Sequence, residues 1–246
     1  MEFALSEENR AVFDMAREVG AAEIAPHARA WEQAGTMPRT LWPKLAALGM
    51  GGLYVSEASG GAGLGRLDAT LVFEGLAMAC PSTAAFPSIH NMCARMLDDH
   101  GSDALKARFL PSALAMERVF SYCLTEPGSG SDAAALKTRA ERTGEGYALT
   151  GTKAFISGAG YSDAYIVMAR TGGPGAGGIS AIVVEDGAAG LSFGGLEDKM
   201  GWRCQPTRQV QLEDCRVPAD NLLGAEGRGF AYAMAGLDGG RLNIAA

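Results

Sequence analysis

The sequence predicts an α+β chain in three parts: an N-terminal helical domain, a middle antiparallel β-barrel or sandwich domain, and the start of a C-terminal helical domain. Three observations carry this. Up to about residue 118, apolar side chains recur at helical spacing in an Ala-, Leu- and Met-rich background. From Val119 on, short runs rich in Val, Ile and Tyr alternate with glycine-bearing turns. After Gly227 helical spacing returns with Phe230, Met234 and Leu237. The boundaries that follow are 1–118, 119–226 and 227–246.

Taken in order, Ser6 is a fitting N-cap for a helix carrying Val12, Phe13, Met15, Ala16 and Val19. Pro26 interrupts or restarts that helix. A second helix fits 41–48 and stops at Gly49, before the glycine-rich loop 60–65. Further helices fit 67–78, 83–97 and 103–115. Strands fit 119–124, 147–150, 164–169, 179–184 and 209–212, with turns at 144–146, 172–178 and 186–187. The last helix has an apolar face and no closing glycine or polar tail, which predicts a third domain continuing past Ala246.

Composition narrows the function classes. Of 246 residues 48% are hydrophobic and 20% charged, values of a chain that buries a core and not of a disordered one. A net charge of −7 without a basic run disfavours a nucleic-acid binder. No apolar stretch reaches membrane-spanning length, so no membrane partner is expected. The N-terminus, Met1 to Glu8, is acidic and lacks the basic flank and apolar core of a signal peptide. The five cysteines are scattered and never in C-x-x-C spacing, which reads as reduced, mostly buried thiols. Three dispersed histidines suggest no metal centre. An Ala-rich chain without a transit peptide suggests a bacterial-type cytoplasm, with a processed mitochondrial matrix protein as the alternative.

Two glycine motifs are set aside. Residues 173–178 match G-x-G-x-x-G by letter, but a strand and not a helix follows, so they read as a hairpin turn. Residues 146–153 lack the G-K-[ST] of a phosphate loop and also read as a hairpin. Two other segments stand out. In 121–132 a strand runs into a loop of hydroxyls, glycines and open amides, able to approach an anion or a polar heteroaromatic ring, or else a plain polar turn. In 153–159 Phe155 and Ser157 stand two apart on a strand and face one side. Phe155 could cover a flat ligand whose edge bonds Ser157, or the pair is a core Phe and a turn Ser.

Together these segments resemble the acyl-CoA dehydrogenase family. Tyr122-Cys123-Leu124-Thr125-Glu126-Pro127-Gly128-Ser129-Gly130-Ser131-Asp132 is similar to its Y-x-x-T-E-P-x-[AS]-G-S-D signature, and Phe155-Ile156-Ser157 to its [WF]-I-[TS] segment. Residues 88–93, 153–160, 170–175, 205–208 and 236–245 resemble the branch that acts on isobutyryl-CoA. The resemblance implies FAD-dependent α,β-dehydrogenation of a short branched acyl-CoA, the valine breakdown intermediate isobutyryl-CoA above all. Electrons would pass to an electron-transfer flavoprotein, and the complete protein would be a homotetramer. It implies FAD contacts from Tyr122, Leu124, Thr125, Gly130 and Ser131, and from Phe155, Ile156 and Ser157. Thr125 and Ser157 would bond the isoalloxazine edge, and Phe155 would shield the ring. Ser131, Asp238, Gly239, Gly240 and Arg241 would contact acyl-CoA.

The same pattern implies no catalytic base within these residues. The family's glutamate is expected beyond Ala246, the alternative position before Arg241 is Gly240, and Glu126 belongs to the signature turn. The 246-residue chain is therefore expected to bind FAD weakly and not to turn over. Two other functions fit the residues: a non-catalytic acyl-CoA or flavin binding module, and an acyl-CoA oxidase-like flavoenzyme.

Overall fold

Ser6 caps α1 (Glu7–Val19) with a reciprocal pair of bonds: its Oγ accepts from Asn9 N at 3.1 Å, and Asn9 Oδ1 accepts from Ser6 N at 3.3 Å. The computed structural model describes residues 4–246; Met1, Glu2 and Phe3 of the acidic N-terminal stretch lie outside the described residues. A π-helical turn, Gly20–Ile24, extends α1, and the chain restarts after Pro26 as α2 (Ala28–Ala34). Then follow α3 (Leu41–Ala46), α4 (Arg66–Ala77), α5 (Pro81–His100) and α6 (Asp103–Leu114). Helix α5 starts earlier and ends later than its apolar spacing predicts. Pro81 sits at its first position, where a missing N–H costs nothing.

The β region comprises β1 (Phe120–Cys123), β2 (Arg139–Arg142), β3 (Gly146–Ser157), β4 (Ala164–Arg170), β5 (Ile179–Glu185), β6 (Leu191–Phe193), β7 (Thr207–Pro218) and β8 (Leu222–Leu223). Their order is β6-β7-β3-β2-β4-β5-β8, with β1 paired on β4. Neighbours are antiparallel except that β1, and one residue of β2, run parallel to β4. The β2–β3 hairpin lies between β1 and β4 in sequence, which is the long crossover a parallel pair needs. Residues 146–153 are not a hairpin, as their glycines suggest, but the first part of the twelve-residue β3. Gly151 lets that strand press against Thr138, whose Cα would lie 2.7 Å from an added Cβ. The 172–178 turn does join β4 to β5 as a hairpin, Thr171 N donating to Gly178 O at 2.9 Å.

Strands β4 and β5 are continuous apolar runs because both of their faces are buried. Ala164, Ile166 and Met168 face a core shared with α5, α6 and the last helix, whereas Tyr165, Val167 and Ala169 face the core inside the β region. A third core around Trp42, Phe73 and Phe86 holds the first helices together. Helix α7 (Gly229–Ala245) packs on α5 and β5. Its entry requires Gly229, where a Cβ would lie 2.6 Å from Ala181 N. Leu242 and Ile244 on its last turn are half exposed. All five cysteines are buried and unpaired. No described helix is long and apolar enough to cross a membrane.

Candidate functional site

The loop after β1 is held by a buried ion pair. Lys153 Nζ, fully buried on β3, donates to Glu126 Oε1 at 2.8 Å and to Leu124 O at 3.0 Å. The Glu126 carboxylate also accepts from Lys137 N at 2.6 Å and Thr138 N at 2.9 Å. Burial pushes Glu126 up, but Lys153 and these donors outweigh it and hold the carboxyl below its ordinary range. On the lysine side burial wins: Lys153 sits below its ordinary range despite the attraction of Glu126. Each group is thus engaged in scaffolding, and Glu126 has no free proton-accepting role. Glu126 and Ser129 exchange main-chain bonds at 3.0 and 3.1 Å, and Ala154 N donates to Thr125 O at 2.9 Å. The loop carrying Thr125, Gly130 and Ser131 is thereby fixed to β3.

Strand β3 is irregular where it meets this loop. Its pairing with β7 slips between Lys153 and Ile156. Phe155 occupies the slip at φ +57°, a left-handed conformation unfavourable for an aromatic residue. It is 66% exposed, so it is not the core residue its sequence also allowed. Ser157 is the last residue of β3, and its carbonyl accepts from Ser121 Oγ at 2.5 Å. Gly158 then turns the chain at φ +81°, where a Cβ would lie 2.6 Å from Phe86 Cε2 and Ser162 Oγ.

These pieces enclose a cavity of about 940 Å³ between the β1–β2 loop, the end of β3, the 199–207 segment, α5 and α7. All eight residues assigned above to FAD line it: Tyr122, Leu124, Thr125, Gly130, Ser131, Phe155, Ile156 and Ser157. Gly240 and Arg241 line it too. Asp238 and Gly239 do not. Asp238 is exposed, 3.6 Å from Arg241, and Gly239 is buried against Arg66, whose Nη2 would lie 2.6 Å from an added Cβ. Helical geometry explains the split, since positions 237, 240, 241 and 244 share the face that Asp238 and Gly239 leave.

Sequence reasoning missed the opposite wall. Lys199 Nζ donates to Trp202 O and Gln205 O, both at 2.6 Å, and to Thr207 Oγ1 at 2.8 Å, tying 199–207 into a compact strap. Glu32 of α2 accepts from Arg203 N at 2.7 Å and Cys204 N at 2.9 Å, which anchors the strap to the first helices. Trp202, Gln205 and Thr207 line the cavity. The only signal in the sequence was the family-like run 205–208, which names no contact.

Two lining residues carry a buried polar atom without a partner, Tyr122 Oη and Gln205 Nε2. Burial, then Cys93 and Cys123, push the Tyr122 phenol far up, so it stays neutral and able to donate. Unsatisfied buried groups are costly and call for a ligand or water to meet them. The aromatic walls, the hydroxyls of Thr125, Ser131, Ser157 and Thr207, and the Arg241 cation suit a flat polar heteroaromatic ligand bearing an anionic group. At the other end, between α5 and α7, the lining is apolar: Ile89, Met92, Phe230, Met234 and Leu237.

Comparison with known proteins agrees with this geometry. Residues 6–117 match the acyl-CoA dehydrogenase N-terminal domain, and residues 121–215 the acyl-CoA dehydrogenase middle domain. The mitochondrial isobutyryl-CoA dehydrogenase of Bos taurus is 53% identical over 241 residues, covering 98% of this chain and 58% of that protein. The structure of butyryl-CoA dehydrogenase from Megasphaera elsdenii superposes with a TM-score of 0.93 at 35% identity, over 100% of this chain and 66% of that one. The FAD complex of PigA superposes with a TM-score of 0.90 at 29% identity, over 96% of this chain and 63% of that one. The chain thus spans 58% of the length of its bovine relative. With both domain types matched in order and the signature residues gathered around one cavity, the chain belongs to the acyl-CoA dehydrogenase family.

Proposed function

We propose that the cavity holds FAD at its hydroxyl-rich end and a short branched acyl-CoA, isobutyryl-CoA first among them, at its apolar end. The whole protein would dehydrogenate that thioester between Cα and Cβ and pass the electrons to an electron-transfer flavoprotein. The observation that carries this is the convergence of three segments far apart in the chain, 122–131, 155–157 and 240–241, on one cavity. The 53% identity to isobutyryl-CoA dehydrogenase supports the branched substrate, and the FAD bound by PigA supports the cofactor. We place the protein in a bacterial-type cytoplasm or, after processing, in the mitochondrial matrix, working as a homotetramer.

The residues divide the work by chemistry. Thr125 and Ser157 offer hydroxyls to the edge of the flavin, and Phe155, already exposed, covers its face. Ser131 and Arg241 meet the polar and anionic parts of acyl-CoA. When bound, FAD supplies a two-electron acceptor for the acyl chain. The scaffold keeps this end rigid through Lys153 and Glu126. Removing the α proton needs a base, and none is assigned here. Asp132 is the one carboxylate among the described lining residues and lies at the exposed rim, and Gly240 precedes Arg241.

The test is a visible absorption spectrum of the natural gene product after dialysis against FAD. Retained flavin bands that bleach anaerobically with isobutyryl-CoA are expected. Retained bands that no acyl-CoA bleaches would leave a flavin binding module in place of the enzyme. The 246-residue chain alone, lacking an assigned base, is expected not to bleach.

A further inference from the structure

At the apolar end of the large cavity one side chain borders a second cavity as well. Met92 on α5 lines the cavity of about 940 Å³ and also a second one of about 270 Å³. Among the described residues it is the only one common to the two linings. Helix α7 faces it with Gly236 and Gly240, four residues apart and therefore on one stripe of the helix. A Cβ on Gly236 would lie 3.1 Å from Met92 Cγ and 3.2 Å from Sδ, and one on Gly240 would lie 3.9 Å from Sδ. The thioether lies in the groove that two absent side chains leave. Met96, one turn further along α5, stands behind it, its Sδ 3.8 Å from the Gly236 position.

The chemistry changes across this wall. On the near side Ile89, Met234 and Leu237 form an apolar lining. On the far side the lining includes Arg66, Arg95, Asp99 and His100. An alkyl chain that grows beyond the near space has to displace Met92 first and then meets charged groups, which gain nothing from it.

We propose that Met92, seated on Gly236 and Gly240, is the specificity-determining end wall that limits the protein to short acyl chains. This rests on the acyl-CoA dehydrogenase function proposed above. An unbranched, polarizable thioether suits the role, because it fills the irregular groove without a fixed shape. Met92→Ala removes Cγ, Sδ and Cε, the atoms of the side chain that the two linings share. Gly236→Ala does the reverse: the added methyl crowds the thioether and pushes it toward the acyl space.

The test uses the natural gene product loaded with FAD, with kcat/KM measured for isobutyryl-, butyryl-, hexanoyl- and octanoyl-CoA. Binding of the same thioesters is measured by calorimetry. One methylene in such a pocket is worth roughly 10–200-fold. Met92→Ala is therefore expected to raise the octanoyl-to-isobutyryl ratio at least about tenfold, in kcat/KM and in affinity. Gly236→Ala is expected to lower the hexanoyl-to-isobutyryl ratio, and Met92→Leu to keep the wild-type profile. Should Met92→Ala fold poorly, Gly236→Ala decides alone. Ratios within twofold of wild type in a protein that turns over isobutyryl-CoA would overturn the role of Met92 only. A wild type that neither binds nor turns over any of the four would overturn the functional assignment and this proposal together.

Discussion

Replacing Lys153 by Met removes the one ammonium that lies entirely inside the site's scaffold. Lys153 is 0% exposed and Glu126 7% exposed, so the abandoned carboxylate cannot recover its charge partner from water. It would retain two donors, Lys137 N at 2.6 Å and Thr138 N at 2.9 Å. Breaking a buried pair from one side costs about 3–5 kcal/mol, because the remaining charge stays desolvated. For a chain of this size that is a fall in Tm of about 6–20 °C at about 2–4 °C per kcal/mol. The double variant Lys153→Met with Glu126→Gln removes both charges and keeps an acceptor for one of the two N–H groups, since Lys137 N bonds one carboxylate oxygen and Thr138 N the other. It should lie at least about 1 kcal/mol above the sum of the single losses. The pH dependence has a definite sign. The Glu126 carboxyl is held below its unfolded value, so its contribution is complete above that value and fades as pH falls through the lower folded one. Glu126→Gln should therefore flatten the acid limb of the stability curve. Urea unfolding of wild type, both single variants and the double at pH 7 and pH 4 decides the matter. A loss below about 1 kcal/mol in Lys153→Met would place the pair among interactions that water can replace, and the rigid-scaffold argument would fall.

Two further changes probe residues whose roles come from conformation and burial. His90 is fully buried, its Nε2 2.9 Å from Ala113 O and its Nδ1 accepting from Phe120 N at 3.1 Å; burial is the main cause that pushes it down to about 4. The unfolded chain takes up a proton near pH 6.5 and the folded one does not, so stability should fall by about 3 kcal/mol as pH drops from 6.5 to 4; a urea midpoint that stays flat in that range would contradict a neutral His90. Phe155→Gly relieves a left-handed residue worth about 1–2 kcal/mol, against glycine's entropy of about 0.5–1 kcal/mol. Folding stability is expected to hold or rise slightly while retained flavin becomes more accessible to collisional quenchers, and a loss above about 1 kcal/mol in urea unfolding would make Phe155 a packing residue after all.

What the sequence made legible was whatever depends on nearest neighbours or on period. The apolar runs at 164–169 and 179–184 announced strands, and both proved buried on two faces. The hydroxyl- and glycine-rich loop at 121–132 and the Phe155–Ser157 pair each looked able to hold a flat ligand, and they meet in one cavity. What escaped depends on partners far away in the chain. Lys153 in isolation is an ordinary polar strand residue; only Glu126, 27 positions earlier, makes it a buried one. Gly151 looked like a turn because glycine punctuates turns, but its small size serves a close approach to Thr138 at an irregularity inside a long strand. The 199–207 strap has no periodicity, since Lys199 organises it by donating to three oxygens across the loop. Asp238 and Gly239 were grouped with Arg241 because they adjoin it in sequence, whereas a helix places neighbours about 100° apart and sends them to different faces. The same angular rule, applied to Gly236 and Gly240, puts the two glycines together opposite Met92. A site shared between a loop, a strand end and two helices is therefore readable from sequence residue by residue, while its walls and its depth are set by which side chains are absent.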